Sequence, residues 1–215
     1  MPDLASLRLD YSAQSLDEYE VDHDPVRQFS LWFDQAVAAQ LREPNAMTLA
    51  TATDAGVPSA RIVLLKEFDE RGFVFYTNYA SQKGRELAAN PNAALVFFWN
   101  DLERQVRLQG VVEKVTREES EAYFKVRPVK SRYGAAVSPQ SSVVPGGRKS
   151  LESQMAVLEA EFGDKGPECP EHWGGYRLTP HLIEFWQGRR SRLHDRVLYT
   201  RADGTHVWTI ERLAP

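Results

Sequence analysis

A single cysteine in 215 residues, Cys169, excludes an internal disulfide and with it the stapled, secreted class of small domain. Cys169 lies in a proline-flanked loop and reads as a thiol without chemistry in a reducing, intracellular setting. No apolar run approaches the ~20 residues that cross a bilayer. The opening Met1-Pro2-Asp3-Leu4 lacks the basic start and apolar core of a signal peptide. A soluble, cytoplasmic protein without a membrane partner is expected. Excess positive charge is also missing: the formal net charge is −4, so no nucleic-acid partner is expected and any basic site must be local. There is no Gly-x-Gly-x-x-Gly, no P-loop and no Gly-x-Ser-x-Gly, against Rossmann, NTPase and α/β-hydrolase readings. His23, His172, His181 and His206 are scattered without ligand spacing or a cysteine companion, so no metal site is expected. Repeats and low-complexity segments are absent as well.

What is present is ordinary for a globular chain, with 42% hydrophobic and 26% charged residues. The length suits one domain, or one domain with a tail. Residues 1 to about 23 are polar and acidic and read as a tail, mobile or docked on a partner subunit. Residues 24–215 read as the single domain. Asp24 followed by Pro25 is a helix start, and Phe29, Trp32, Phe33, Ala36, Val37 and Leu41 recur at helical spacing in a helix that should end before Pro44. Strands are expected at 47–53, 59–68 and 73–77, joined by turns at Asp54-Ala55-Gly56 and Asp69-Glu70-Arg71-Gly72 into an antiparallel meander. A short helix from Ser81 to Ala89, strands at 94–99 and 105–115, and helices at 117–127 and 147–162, with a short one at 133–137 between them, come next. Strands at 175–178, 183–187, 193–200 and 206–213 follow, the last two joined at Asp203-Gly204. So many strands joined by tight turns favour an antiparallel barrel decorated by helices.

Five groups of residues carry possible chemistry. In an extended Arg192-Leu193-His194-Asp195-Arg196, the side chains of Arg192, His194 and Arg196 project together, a row of donors for an anionic ligand; a solvated edge strand reads the same way. Ser81 as an N-cap with Lys83 in the first turn makes an anion site, or an ordinary capped helix. Arg61 and Lys66 flank the apolar run Ile62-Val63-Leu64-Leu65, which reads as buried. Their odd spacing puts them on opposite faces of a regular strand, so they share one site only through a bulge or the strand end. Tyr123 and Arg127 share a helix face, with Ser131 beyond the break that Pro128 imposes. These resemble a phosphate-monoester pocket, although Arg127 could equally cap the helix. Gln105, on the polar side of an alternating strand, could read the edge of a heteroaromatic ring or simply face solvent.

Taken in order, these segments resemble one family. The motifs are Arg61-Ile62-Val63-Leu64-Leu65-Lys66, Phe75-Tyr76-Thr77-Asn78, Leu102-Glu103-Arg104-Gln105-Val106, Tyr123-Phe124 with Arg127-Pro128, and Ser138-Pro139-Gln140-Ser141-Ser142. Trp173-Gly174-Gly175-Tyr176, Glu184-Phe185-Trp186-Gln187-Gly188, the run from Arg192 to Arg196 and the terminal Arg212-Leu213-Ala214-Pro215 complete them. The chain is similar, from about residue 24 onward, to the pyridoxamine 5′-phosphate oxidase family.

The resemblance implies an α+β, mainly β fold, the antiparallel FMN-binding split β-barrel with flanking helices, and a homodimer with active sites at the interface. It implies FMN held by Arg61, Ile62, Val63, Leu64, Leu65, Lys66, Tyr76, Thr77, Gln82, Lys83 and Gln105, with Gln140, Ser141, Trp186 and Arg196 reaching in from across the interface. The substrate phosphate would sit on Lys66, Tyr123, Arg127 and Ser131, and Arg192, Leu193 and His194 would lie over the pyridine ring. Arg192 and His194 are the catalytic candidates, Arg192 acting electrostatically because a guanidinium is a poor general base. The implied reaction moves a hydride from C4′ of pyridoxine or pyridoxamine 5′-phosphate to the flavin, which dioxygen reoxidises to give hydrogen peroxide. Two departures stand out. Gln82 replaces a basic residue frequent in the family, at a cost of about 1.5–3 kcal/mol if a charge-assisted bond is lost. The stretch Leu16-Asp17-Glu18-Tyr19-Glu20 is acidic where some relatives are basic. A flavin enzyme of the same barrel with another substrate, and a non-catalytic store of FMN or pyridoxal phosphate, are the rival readings.

Overall fold

The computed structural model describes residues 11, 14–202, 205 and 207–215. Helix α1 spans Pro25–Ala38, with Asp24 accepting from the Val26 N–H as N-cap and Pro25 in the first turn. It stops short of Leu41, and Gln40 and Glu43 then take left-handed φ values of 56° and 51°. Strands β1 (Ala46–Ala52), β2 (Pro58–Leu64), β3 (Glu67–Asp69) and β4 (Gly72–Asn78) lead into α2 (Gln82–Ala89). β5 (Asn92–Trp99), β6 (Arg104–Lys114), α3 (Arg117–Val126), α4 (Val129–Val137) and α5 (Gly147–Phe162) follow, then β7 (Trp173–Gln187), β8 (Asp195–Thr200) and β9 (Thr209–Arg212). Hydrogen bonding orders the strands β2-β1-β5-β6-β7-β4-β3, with β8 added to β7 and β9 to β8. The sheet-rich fold with flanking helices agrees with the expectation drawn from the number of strands.

The meander does not form as expected. Leu65 and Lys66 interrupt the run from Ser59 to Phe68, so β2 and β3 are separate strands that are not sheet neighbours; β4 lies between β3 and β7. Nor is the apolar run uniformly buried: Leu65 is 4% exposed but Ile62 is 65% exposed. The two short strands expected around Pro180 are instead one, β7. Its first half pairs with β4 (Phe75 opposite Tyr176) and its second half with β8 (Phe185 opposite Val197), so the proline falls between two ladders and interrupts neither. The expected Asp203-Gly204 turn lies outside the described residues.

The chain packs as two compact units interleaved in sequence. One comprises residues up to Leu49, Ala94–Gly110 and Pro180–Pro215. Its core is aromatic: Phe29 lies 5.0 Å from Phe97 and Trp32 meets the edge of Phe185 at 5.2 Å. Residues 14–23 of the expected tail pack within this unit. Leu16 is buried and donates its N–H to Asp195 at 3.1 Å, Glu18 accepts from Arg212 at 2.6 Å, and the Tyr199 hydroxyl donates to the Asp22 carbonyl at 2.7 Å.

The other unit comprises Ala50–Ala93 and Val111–Thr179, cored by Phe73, Phe75, Phe124, Tyr133 and Leu178. Gly72 turns the chain into β4 at φ +140°, and a Cβ there would lie 2.1 Å from the Leu178 carbonyl oxygen. Backbone, not a flexible side chain, blocks the space. Gly72→Ala should therefore destabilise the protein by about 2–4 kcal/mol, read as a lower midpoint in urea unfolding. An unchanged midpoint would mean that the turn relaxes freely.

Candidate active site

The second unit contains a cavity of about 610 Å³ lined by residues of β2, β4, α2, α3 and α4, the connections around them and the start of β7. Ile62, Val63, Leu64 and Lys66 form one wall, Tyr76, Thr77 and Lys83 another, and Tyr123, Arg127, Ser131, Gln140 and Trp173 the remainder. Lys66 reaches the cavity because β2 ends at Leu64; beyond it, strand alternation no longer dictates direction.

At one side the cavity is built for an anion. Arg127 is the C-cap of α3, extended at φ −70°, ψ 148° as the following proline requires, and α4 begins two residues on. This break carries Tyr123, Arg127 and Ser131 into one wall, as the sequence predicts. The guanidinium lies 4.7 Å from the centre of the Trp173 ring, in cation–π contact. Burial pushes its pKa down, and its Nη1 is buried without a hydrogen-bond partner among the described residues. An unpaired buried donor of this kind costs about 1–3 kcal/mol. Lys66 has no ion pair among the described residues. Tyr76 stacks on Tyr123 at 4.0 Å and on Trp173 at 5.4 Å. Burial pushes the Tyr76 phenol up to about 12, so it stays neutral across the physiological range.

A second polar group holds the middle of the cavity. Buried Lys83 donates to Thr77 Oγ1 at 3.2 Å and Gln140 Oε1 at 3.4 Å, and Thr77 in turn donates to Gln140 at 3.0 Å. Burial, reinforced by the Arg61 charge, lowers the Lys83 pKa. No carboxylate lies within ion-pair distance of this ammonium among the described residues. Gln140, expected from across an interface, reaches the cavity of its own chain: Asn78 Nδ2 bonds the Ser138 carbonyl at 3.1 Å and so draws the segment after α4 over β4. Ser141, at φ 68°, is exposed and does not line the cavity.

Arg61 departs from expectation. It forms an ion pair with buried Glu86 at 3.2 Å and donates to Ser59 at 2.6 Å and to Thr51. Gln82, exposed on α2, turns its amide to Glu86 at 2.9 Å rather than to the cavity. Burial would raise the Glu86 pKa, but hydrogen bonds from Ser59, Thr51, Gln82 and Arg61 win and hold it at about 2, against the usual 4.5. A folded-state pKa below the unfolded value stabilises fully above pH 4.5 and loses that contribution as pH falls toward 2. Glu86→Gln should therefore flatten the acid limb of a stability–pH profile between those values. An unchanged limb would place the titration elsewhere.

The C-terminal motif belongs to the first unit. Arg190–Arg192 is a tight turn in which Ser191 and Arg192 take left-handed φ values of 57° and 60°. The chain is extended only from Asp195, so the expected alternation of Arg192, His194 and Arg196 along one strand is not what presents them. Arg192 and Leu193 are exposed. His194 Nδ1 accepts the Arg189 N–H at 3.1 Å, which leaves Nε2 to carry the proton of the neutral ring. Trp186 packs at 4.8 Å from His194, and the Tyr11 ring meets both edge-on at 5.8 and 5.7 Å. Arg196, opposite Trp186 in register, bonds buried Glu184 at 2.8 Å; Glu184 also takes Arg107 at 3.0 Å. Gln105 is half-buried on β6, as its alternation predicts. Its neighbour Arg104 is buried, bonded to Gln187 at 2.9 Å and to Gln14 and Gln35 and lying 4.3 Å over Trp32; burial lowers its pKa to about 10.

Residues 33–160 match the family model described as pyridoxamine 5′-phosphate oxidase. The chain belongs to the pyridoxamine 5′-phosphate oxidase family. Residues 173–215 match the pyridoxine 5′-phosphate oxidase C-terminal dimerisation region. Relatives named pyridoxine/pyridoxamine 5′-phosphate oxidase are 60% identical in Ralstonia pickettii and 59% in Burkholderia lata, each over 216 residues covering 100% of both chains. The crystal structure of PhzG from Burkholderia lata, in complex with tetrahydrophenazine-1-carboxylic acid, superposes with a TM-score of 0.89 at 30% identity, covering 96% of this chain and 100% of that one. A pyridoxamine 5′-phosphate oxidase-related, FMN-binding protein from Nostoc punctiforme shares the fold, with a TM-score of 0.72 at 17% identity over 91% of this chain and 100% of that one. The fold is the antiparallel split β-barrel of this oxidoreductase family. Among the described residues, no helix is long and apolar enough to cross a membrane.

Membership in the pyridoxamine 5′-phosphate oxidase family leaves three residues in or behind the cavity without a role read from sequence: Trp173, Asn78 and Glu86. Glu86 had a signal, since it stands four residues after Gln82 on one helix face. Trp173 lies inside a matching motif, but nothing in its spacing indicates that a guanidinium rests on its face.

Proposed function

We propose that this chain is an FMN-dependent oxidase that converts pyridoxine 5′-phosphate and pyridoxamine 5′-phosphate to pyridoxal 5′-phosphate, acting in the cytoplasm as a homodimer. The observation that carries the reading is the buried Arg127 Nη1, unpartnered among the described residues, in one cavity with Lys66, Tyr123 and Ser131. Two cations and two hydroxyls suit a phosphate monoester, whose oxygens would take the orphaned donor. The 58–60% identical relatives of the same name support the substrate class. The cavity also fits the cofactor: among the described residues buried Lys83 bonds only neutral oxygens there, and Ile62, Val63 and Leu64 offer an apolar surface for a ring system.

FMN, when bound, supplies the acceptor for a hydride from C4′ of the substrate and the route for electrons to dioxygen, with hydrogen peroxide as the second product. The chain's own residues bind and orient. Lys66, Tyr123, Arg127 and Ser131 grip the phosphate and so fix where C4′ lies. Lys83, Thr77 and Gln140, with Ile62, Val63, Leu64, Lys66 and Tyr76, would hold the cofactor. From a second copy, Trp186 and Arg196 would close the cofactor site, and Arg192, Leu193 and His194 would cover the pyridine ring. Arg192 stabilises charge near C4′ and is not a base.

The decisive experiment loads the protein with FMN, excludes oxygen and adds pyridoxine 5′-phosphate. Bleaching of the flavin that reverses in air is the expected result. A bound flavin that stays yellow would overturn the assignment of substrate.

A further inference from the structure

Glu86 is a buried carboxylate that the proposed chemistry does not use. It sits one helical turn beyond Lys83, accepts from Ser59 at 2.6 Å, Thr51 at 2.5 Å and Gln82 at 2.9 Å, and pairs with Arg61 at 3.2 Å. Three positively charged or donor-rich side chains of this region are thereby biased toward it. Arg61 and Gln82 bond it directly, and Lys83 feels its charge, which works against burial and against Arg61 to keep the ammonium protonated.

We infer that Glu86 sets how tightly this chain holds the phosphate of FMN, by keeping Arg61 and Gln82 on itself and offsetting the Lys83 charge at the cavity wall. The inference rests on the reading that the FMN phosphate lies beside Lys83. An anion arriving there competes with Glu86 for Arg61, and the carboxylate repels it. Both effects oppose binding, in proportion to the charge on the anion. A buried negative charge beside an anion site is thus an affinity brake, and the only ligand group it acts on strongly is the phosphate. The flavin ring, being neutral, is indifferent to it.

The test strips FMN from the full-length protein and measures rebinding of FMN, and of riboflavin as the phosphate-free probe, by flavin fluorescence quenching. Glu86→Gln keeps the shape and an acceptor for Ser59 and Thr51 while removing the charge. Its Kd for FMN should fall about tenfold, with the Kd for riboflavin unchanged. Glu86→Ala offers a second route, removing the charge without leaving a buried amide to be satisfied; it should move FMN affinity the same way and decides the matter if Glu86→Gln does not fold. A merely structural carboxylate gives the opposite result, with both ligands weakened together. That outcome, or equal FMN affinity in the wild type and the folded variants, would overturn the inference. Failure of the wild type to bind FMN at all would instead count against the proposed function.

Discussion

Arg127→Ala raises KM for pyridoxine 5′-phosphate by about 10–100-fold, the worth of one charge-assisted bond of about 1.5–3 kcal/mol, and changes kcat far less. The half-buried guanidinium lies against Trp173, and its buried Nη1 has no partner among the described residues, a cost that bound phosphate removes. Binding energy made equally in the ground state and the transition state appears in KM. Arg127→Lys should recover little. An ammonium is a compact charge that neither stacks on an indole face as a planar group nor presents a fork to a phosphate. Dephosphorylated pyridoxine, which lacks the anion, should bind wild type and variant alike. A KM that does not move, or that moves equally for pyridoxine, would take the phosphate away from this wall of the cavity.

This wall was also the most legible part of the sequence. Tyr123 and Arg127 lie four apart on a helix, and Pro128 forces Arg127 out of helical geometry, so local rules alone bring Tyr123, Arg127 and Ser131 together. The same locality made α1, the α2 cap at Ser81 and the alternation of β6 readable. What escaped depended on distant partners. Arg61 was expected to face the cofactor, yet Thr51, Ser59 and Glu86 claim it, from a neighbouring strand, its own strand and a helix. The Ile62 run reads as core from hydrophobicity, but its exposure depends on what the opposite side of β2 meets. Two strands were expected at 175–178 and 183–187 where one runs through, because on one side of β7 the hydrogen bonds before Pro180 go to β4 and those after it go to β8. The row Arg192-His194-Arg196 assumed an extended backbone, and two left-handed residues replace it with a turn.

That turn yields the other large expected effect: Arg192→Ala lowers kcat by about 10²–10³-fold while FMN stays bound. Side chains with a Cβ enter the left-handed region at a cost of about 1–2 kcal/mol per residue, and Ser191 and Arg192 do so in succession. Backbone strain kept at consecutive non-glycine residues points to a side chain whose position matters more than its stability. Glycine separates the two contributions, because it adopts φ 60° without the Cβ penalty. Arg192→Gly should therefore keep or raise the melting temperature while losing turnover as fully as the alanine variant. Since a guanidinium stays charged at all working pH values, the residual activity of either variant should keep the pH profile of the wild type, whereas loss of a general base would remove a limb from it. Wild-type turnover in Arg192→Gly would assign the strained turn to folding alone, and a changed pH profile would make Arg192 part of a proton relay rather than a fixed charge above the substrate ring.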